Sequence, residues 1–340
     1  MILNALGVHS FAGGFALGMS QNTNVIGQVE ATNDNFVGPR LYEFKQMMSD
    51  ARHNHKWDII QCDDSSAAYW SNQIDIVFGN PPCAPWSLMN TSSNSWQHDP
   101  RLSMVHDVID TGIRNDSDFI LVESVVRSWT KGQEFWRGVA DNLASKGYSS
   151  YFWLHNVNAL GCYQERKRFM YIASKKELTF PDPIPKDERL ILSDHFEIMN
   201  RVGGSASYTH SVEPEVTADF WAHAKPGPIR KQAFGLDVPN PPFAARKLCM
   251  DKPAPTIVGS YLVHPVEPRC LYWGEFRHLL GFPKSWETTR PQTCSADVQA
   301  GLLPMTRGVC PIVGEHVSKI LVDSNKRVDT PIMRLVDQRS

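Results

Sequence analysis

A thiol, a carboxylate and a pair of guanidinium groups stand in this chain where each could touch a reacting atom. Cys83 follows Gly79-Asn80-Pro81-Pro82, itself preceded by the apolar run Ile74-Asp75-Ile76-Val77-Phe78. Two consecutive prolines fix φ and remove two backbone donors, so the loop is stiff and presents the thiol in one geometry. In open α/β sheets, ligands bind beyond the carboxyl ends of the strands. A cysteine at that address is either a nucleophile or a small buried apolar group, and position alone does not choose. Phe119-Ile120-Leu121-Val122 brings Glu123 to the end of a second apolar strand. Partial burial there raises a carboxyl pKa and suits it to hold or transfer a proton; neutralisation by a structural partner is the alternative. Gln164-Glu165-Arg166-Lys167-Arg168 opens a further strand, and period-two alternation sends Gln164, Arg166 and Arg168 to one face. These arginines either lower the pKa of a nearby thiol or form a solvated basic edge.

The elements that must position these groups are legible in the apolar pattern. Short apolar runs at 4–8, 25–30, 57–61, 74–78, 119–123, 151–156 and 168–173 alternate with helix-compatible stretches. Such alternation predicts βαβ units around a mostly parallel sheet. One helix is expected over 135–144, ended by Lys146-Gly147 with the glycine as a left-handed cap. Between the first strand and the first helix lies the turn Phe11-Ala12-Gly13-Gly14-Phe15. It either cradles a cofactor against a helix N-terminus or only permits close packing. The next two strands end at Glu30 and Asp63, where a carboxylate can accept from a ribose hydroxyl or an adenine amino group. After Pro181 the texture becomes rich in proline and glycine, as in Gly203-Gly204, Pro226-Gly227-Pro228 and Pro239-Asn240-Pro241-Pro242, which suits a loop-rich recognition module. Helical spacing returns at Gly274 and over 313–322, so the chain is expected to end on a helix that rejoins the sheet.

Composition bounds the function classes. A chain of 340 residues exceeds what one compact core usually serves, so a large domain and a smaller one are expected. Lys plus Arg number 34 against 36 for Asp plus Glu, a formal net charge of -2, so any basic groove must be local. The seven cysteines are odd in number, scattered and free of any C-x-x-C pair, which argues against a disulfide framework and a structural zinc site. No apolar run reaches the roughly 18 residues a spanning helix needs. A soluble cytoplasmic monomer without metal or membrane partner is the expectation.

The order of the motifs brings a family into view. Pro81-Pro82-Cys83, Glu123-Ser124-Val125 and Gln164-x-Arg166-x-Arg168 resemble the Pro-Cys, Glu-Asn-Val and Gln-x-Arg-x-Arg motifs of the DNA cytosine-5 methyltransferases, and their intervals fit compact members. Lys252-Pro253-Ala254-Pro255-Thr256-Ile257 is similar to the segment after that family's target-recognition region. Glu275-Phe276-Arg277-His278-Leu279-Leu280-Gly281-Phe282-Pro283 resembles its Arg-Leu-Gln-Gly-Phe-Pro element. The resemblance covers about 1–175 and 250–320.

It implies an α/β fold: a Rossmann-like, S-adenosylmethionine-dependent methyltransferase sheet domain over 1–175, a smaller loop-rich target-recognition domain over 176–305, and a segment over 306–340 that returns to the catalytic domain. The implied reaction transfers a methyl group from S-adenosylmethionine to C5 of a cytosine flipped out of double-stranded DNA. In it Cys83 adds to C6, Glu123 contacts N3 and the exocyclic amine, and Arg166 or Arg168 supplies positive charge. Phe11, Gly13 and Gly14 would lie beside the methionine part, Glu30 at the ribose and Asp63 at the adenine. The stretch from Trp86 to Asp99 would be a mobile lid, with Asp99-Pro100-Arg101 as an anchor, and Arg201, Trp221, Arg230-Lys231 and Arg246-Lys247 would face DNA.

The chain also departs from the family pattern. His9 stands for the usual phenylalanine and Phe11 for the first glycine of the cofactor turn, Ser124 for asparagine, and Ala84 for glutamine. Arg307-Gly308-Val309-Cys310-Pro311 stands for Gly-Asn-x-Val-Pro, so Gly308 replaces the asparagine near the cofactor and a guanidinium is adjacent. A basic residue there suits a donor whose transferred group carries a carboxylate, such as carboxy-S-adenosylmethionine. The same chemistry on a different substrate would be that of an RNA cytosine-5 methyltransferase, although the Cys-Phe-Thr triplet of that branch is absent; the departures would also permit an inactive DNA-binding homologue, against which the retained Cys83, Glu123 and Arg168 speak.

Overall fold

A computed structural model of the chain describes residues 2–10, 13–30, 58–61, 73–86, 96–201, 227–228, 246–257, 262–267, 271, 273–283, 308–324 and 327–340; at 30, 58–61, 197–201, 227–228, 246, 263 and 273 it describes the backbone alone. Eight strands among these form one sheet: β1 (Asn4–Val8), β2 (Asn24–Glu30), β3 (Asp58–Gln61), β4 (Ile76–Gly79), β5 (Phe119–Val125), β6 (Ser149–Asn156), β7 (Lys167–Ser174) and β11 (Met333–Gln338). Three two-residue strands, β8 (Gly227–Pro228), β9 (Arg246–Lys247) and β10 (Leu262–Val263), form a separate ribbon. Among the described residues the α-helices are α1 (Gly14–Met19), α2 (Leu102–Arg114), α3 (Val126–Ala144), α4 (Leu192–Arg201), α5 (Trp273–Leu279) and α6 (Pro311–Asp323).

The large sheet runs β11-β6-β7-β5-β4-β1-β2-β3, and its pairings are parallel except those of β7, which is antiparallel to β5 and β6. The mostly parallel sheet that the apolar pattern predicts is therefore present. Side-chain alternation decides which helices cover which face. Ile76, Phe78, Phe119 and Leu121 pack with Phe15 of α1 and Val313 and Val317 of α6. Val77, Ile120 and Val122 pack on the other face with Val105 and Val108 of α2 and Trp136 and Val139 of α3. Leu279, Leu280 and Phe282 join the first of these cores, so the segment around α5 is built onto the sheet.

The ending differs from the expectation. Helix α6 does pack on the sheet's face against α1, but the chain continues into β11, which pairs parallel with β6 from Met333↔Ser150 to Gln338↔His155. The run Met-Arg-Leu-Val-Asp-Gln has no apolar alternation to announce a strand, and Met333 and Leu335 stay exposed. What makes it a strand is the free edge of β6, whose donors and acceptors need partners. The left-handed cap at Gly147 is observed, with φ 84°.

Two helix glycines are predicted to respond with opposite signs. A Cβ on Gly18 would lie 1.9 Å from the Pro311 carbonyl oxygen, because α1 and α6 cross backbone to backbone, whereas a Cβ on Gly138 of α3 meets nothing within 4 Å. Gly138→Ala should raise stability by about 0.5–1 kcal/mol through helix propensity alone. Gly18→Ala gains the same propensity but should lose about 1–3 kcal/mol net to overpacking. Urea midpoints measure both; a stabilised Gly18→Ala would show that the crossing can open.

Candidate active site

The antiparallel entry of β7 explains how residues far apart in the chain meet. Because β7 runs against β5, its first residues lie beside the last residues of β5, and the register pairs Val125 with Arg168 and Glu123 with Met170. Directly opposed residues share a face, so Glu123 and Arg168 are diagonal neighbours on one face, within reach of long side chains. Arg168 Nε lies 3.2 Å from Glu123 Oε1. The Cys83 loop emerges from the adjacent strand β4, which pairs with β5 up to Gly79↔Val122. Asn80, at the start of that loop, donates from its side-chain amide to Glu123 Oε2 and, at 3.5 Å, to the Glu123 carbonyl.

Arg166 sits just before the strand and is fully buried, 1 % exposed. Its Nη2 donates to the Gly308 carbonyl at 3.0 Å, and its backbone N–H donates to Asn156 Oδ1 at 3.1 Å. The solvated basic edge is thereby excluded. Gln164 is also buried and forms a bridge to Ala254, while Glu165 N–H donates to the Ala254 carbonyl at 2.8 Å. The segment 252–257 thus docks against the loop that carries the arginines.

Burial dominates the electrostatics. It pushes the Glu123 carboxyl up to about 7, with Arg168 and then Arg166 pulling the other way. It pulls Arg168 down to about 10, with Arg166 adding to the fall and Glu123 opposing it. It also raises the Cys83 thiol, against which Arg168 and Arg166 act downward and Glu123 upward. Cys83 is half-buried and not enclosed in apolar core, unlike Cys162 and Cys310. The cluster is therefore a thiol and a proton-holding carboxyl that share two cations in a site of low dielectric, an arrangement suited to nucleophilic addition coupled to proton transfer.

The remaining sequence candidates fall into two groups. Gly13 adopts the left-handed region at φ 78° before α1, and a Cβ on Gly14 would lie 2.2 Å from the Val309 carbonyl oxygen. Close packing against the 308–310 segment thus requires Gly14 whether or not a cofactor binds. Glu30 ends β2, its backbone alone described, and Phe11, Asp63, the lid residues 87–95 and most of 202–245 lie outside the described residues. Within Asp99-Pro100-Arg101, Arg101 Nε donates to Asp99 Oδ1 at 2.7 Å, and Arg101 holds the Asp99 carboxyl below its usual range.

Two contacts near the site have no counterpart in the sequence reading. Asn80 supplies to Glu123 an amide contact of the kind that Ser124 cannot make, and its place directly before Pro-Pro-Cys was the available signal. His9, in the left-handed region at φ 52°, pairs through Nε2 with Asp107 Oδ2 at 3.1 Å, and its carbonyl accepts from Asn80 N–H at 3.1 Å. It ties the end of β1 to both α2 and the Cys83 loop; nothing in the sequence linked residues ninety-eight apart.

A family model described as "C-5 cytosine-specific DNA methylase" matches residues 5–221. The chain belongs to that family. Among curated relatives, it is 26% identical over 114 residues to Type II methyltransferase M1.HphI of Haemophilus parahaemolyticus, an alignment covering 33% of this chain and 31% of that one. It is 29% identical over 126 residues to Type II methyltransferase M.FnuDI of Fusobacterium nucleatum, covering 35% and 36% respectively. The chain thus matches about a third of the length of these relatives. In fold it is similar to a prophage-encoded E. coli chain described as a DNA modification methyltransferase, with a TM-score of 0.65, 18% identity, and coverage of 95% of this chain and 99% of that one. The family's fold is the Rossmann-like methyltransferase sheet seen here. Among the described residues, no helix is long and apolar enough to cross a membrane.

Proposed function

We propose that the chain transfers a methyl group from S-adenosylmethionine to C5 of cytosine in double-stranded DNA, through a covalent adduct between Cys83 and C6. The observation that carries this reading is the convergence of Cys83, Glu123, Arg166 and Arg168 at the carboxyl ends of β4 and β5 and the start of β7. Cytosine C5 is a poor nucleophile until a donor bonds to C6 and the ring nitrogen N3 is held by a proton. The Cys83 thiolate, favoured by Arg168 and Arg166, makes the bond to C6. Glu123, with its carboxyl near pKa 7, carries a proton to N3 at neutral pH, and Asn80 and Arg168 fix its orientation. After methyl transfer to C5, a base or water takes the C5 proton as the C6–S bond breaks and returns the thiolate, and N3 gives its proton back to the Glu123 carboxylate.

The left-handed turn at Gly13 fits a nucleoside cofactor at the carboxyl end of β1, with Gly14 beside it and Glu30, which ends β2, proposed at its ribose. When bound, S-adenosylmethionine supplies the electrophilic sulfonium methyl. Phe11 and Asp63 complete that site in this proposal, with Gly308 at its edge. The carboxylated donor finds no support among the described residues, since Arg307 lies outside them and Arg166 is engaged with the Gly308 carbonyl. Residues 176–305 are proposed as the part that reads DNA, with the target base extruded from the duplex because its C5 and C6 are inaccessible in the stack.

Incubating unmethylated duplex DNA with S-adenosylmethionine and digesting it to nucleosides for mass spectrometry tests the reading. Appearance of 5-methylcytosine is expected. Methylation of RNA alone would make the chain an RNA cytosine-5 methyltransferase, and binding of duplex without any modified base would favour the inactive homologue.

A further inference from the structure

A continuous chain of contacts runs from the surface of α2 to the active-site carboxyl. Asp107 of α2, its side chain 40 % exposed, meets His9 Nε2 at 3.1 Å. A carboxylate only accepts, so this bond places a proton on Nε2. His9 itself is buried, 3 % exposed. Its N–H donates to the Val29 carbonyl of β2 at 2.9 Å, and its carbonyl accepts from Asn80 N–H, just beyond β4, at 3.1 Å. Asn80 in turn donates through its side chain to Glu123 Oε2 and stands three residues before Cys83. The helix that carries Asp107 is firmly seated. A Cβ on Gly79 would lie 2.4 Å from the Val8 carbonyl oxygen and 2.6 Å from Val108 Cγ2, so β1, β4 and α2 leave no slack where they meet.

Two features mark His9 as more than packing. Its φ of 52° is a conformation that side chains other than glycine's adopt under strain, and residues so held gather at functional sites. Its Nδ1 is buried without a hydrogen-bond partner among the described residues, so the ring is oriented for the Nε2 bond although its other nitrogen goes unpaired. We propose that His9 is a positioning residue for the methyl transfer: clamped by Asp107, it holds Asn80 in place, and through Asn80 the Glu123 carboxyl and the root of the Cys83 loop. The inference rests on the reaction assigned above and adds to it an anchor outside the site. His9 acts through its backbone carbonyl, and the ring's task is to keep a strained turn in one conformation. Without the Nε2 bond the carbonyl can swing, Asn80 loses the acceptor of its N–H, and Glu123 loses the support that complements Arg168. Pro81 and Pro82 stiffen the segment, so a shift at Asn80 reaches Cys83 undamped.

Three variants separate positioning from packing. His9→Gly deletes the ring but suits the left-handed turn. Asp107→Ala removes the anchor, and Asp107→Asn keeps an oxygen for the His9 Nε2–H. kcat and KM for duplex DNA are measured beside the rate at which iodoacetamide alkylates Cys83, located by peptide mass spectrometry without DNA or S-adenosylmethionine. For His9→Gly and Asp107→Ala, kcat should fall about 10- to 100-fold with KM nearly unchanged. Alkylation of Cys83 should become several-fold faster, because a loosened loop uncovers its thiol. Asp107→Asn should restore most of both, and the double variant His9→Gly/Asp107→Ala should be no worse than either single one, since both cut the same link. The buried thiols of Cys162 and Cys310 should stay unreactive throughout. Wild-type kcat or wild-type Cys83 alkylation in His9→Gly and Asp107→Ala would overturn the proposal. So would lost activity accompanied by alkylation of Cys162 and Cys310, which marks general loosening. If the wild-type protein makes no 5-methylcytosine, the assigned reaction fails separately; faster Cys83 alkylation in the two variants then still supports the clamp, and equal rates overturn it.

Discussion

Replacing Cys83 with alanine is expected to reduce turnover of cytosine in duplex DNA by about 10⁴-fold or more, with duplex affinity changed only a few-fold. The size of the effect follows from the chemistry. Without a sulfur bonded to C6 the ring never becomes electron-rich at C5, and positioning alone cannot replace that covalent step. Cys83→Ser should be almost as inactive, because a hydroxyl ionises far less readily than a thiol and stays a weak nucleophile until a base takes its proton. Nucleoside mass spectrometry under single-turnover conditions separates chemistry from product release. Retention of a tenth or more of the wild-type rate in Cys83→Ala would remove the thiol from the mechanism and return the residue to the status of a small group packed beside Arg168.

The second large effect joins activity to stability. Glu123→Gln is expected to lower turnover about 10²- to 10⁴-fold, the usual worth of a positioned proton donor. It should also flatten the alkaline side of the stability profile. The folded carboxyl titrates near 7 against a reference of 4.5, so its contribution is complete below 4.5 and is lost as pH rises through 7. Between pH 5.5 and 8 that loss is about 2 kcal/mol in the wild type, and a glutamine, which does not titrate, should abolish it. The acid side has the opposite origin. Burial, aided by Arg168, depresses His155 to about 3, and burial with His278 and His264 depresses His195 to about 3. Such groups stabilise the fold above pH 6.5, and that stability drains away as pH falls below it. Because the histidines and Glu123 act in opposite directions over this range, the Glu123 contribution is read from the difference between wild type and Glu123→Gln. Urea unfolding at pH 5.5, 6.5 and 8 should show that difference falling by about 2 kcal/mol as pH rises. A difference that does not change with pH would take the proton away from Glu123.

Most of the scaffold was legible because its strands are apolar on both faces. Runs such as Phe119-Ile120-Leu121-Val122 can satisfy both sides only inside a sheet covered by two helix layers, and β1, β2 and β5 begin and end close to where the pattern places them. β11 escaped because an edge strand has one neighbour and little burial, so its composition carries almost no constraint. Asn80 was hidden for another reason: a polar residue in a loop looks solvated until the carboxylate it serves is known to be 2 % exposed. Taken by itself, the sequence determined the chemical inventory and its order: a proline-held thiol, a strand-end carboxylate, an alternating arginine pair, and the parallel sheet that carries them. Those properties are local, set by hydropathy period and backbone stiffness over a few residues. Only the tertiary structure decided that β7 enters antiparallel, so that Arg168 meets Glu123, that His9 reaches Asp107, and that Arg166 meets the Gly308 carbonyl. Contacts between distant segments depend on which edges and faces pack together, and the burial that moves the Glu123 carboxyl to about 7 exists only once they have done so.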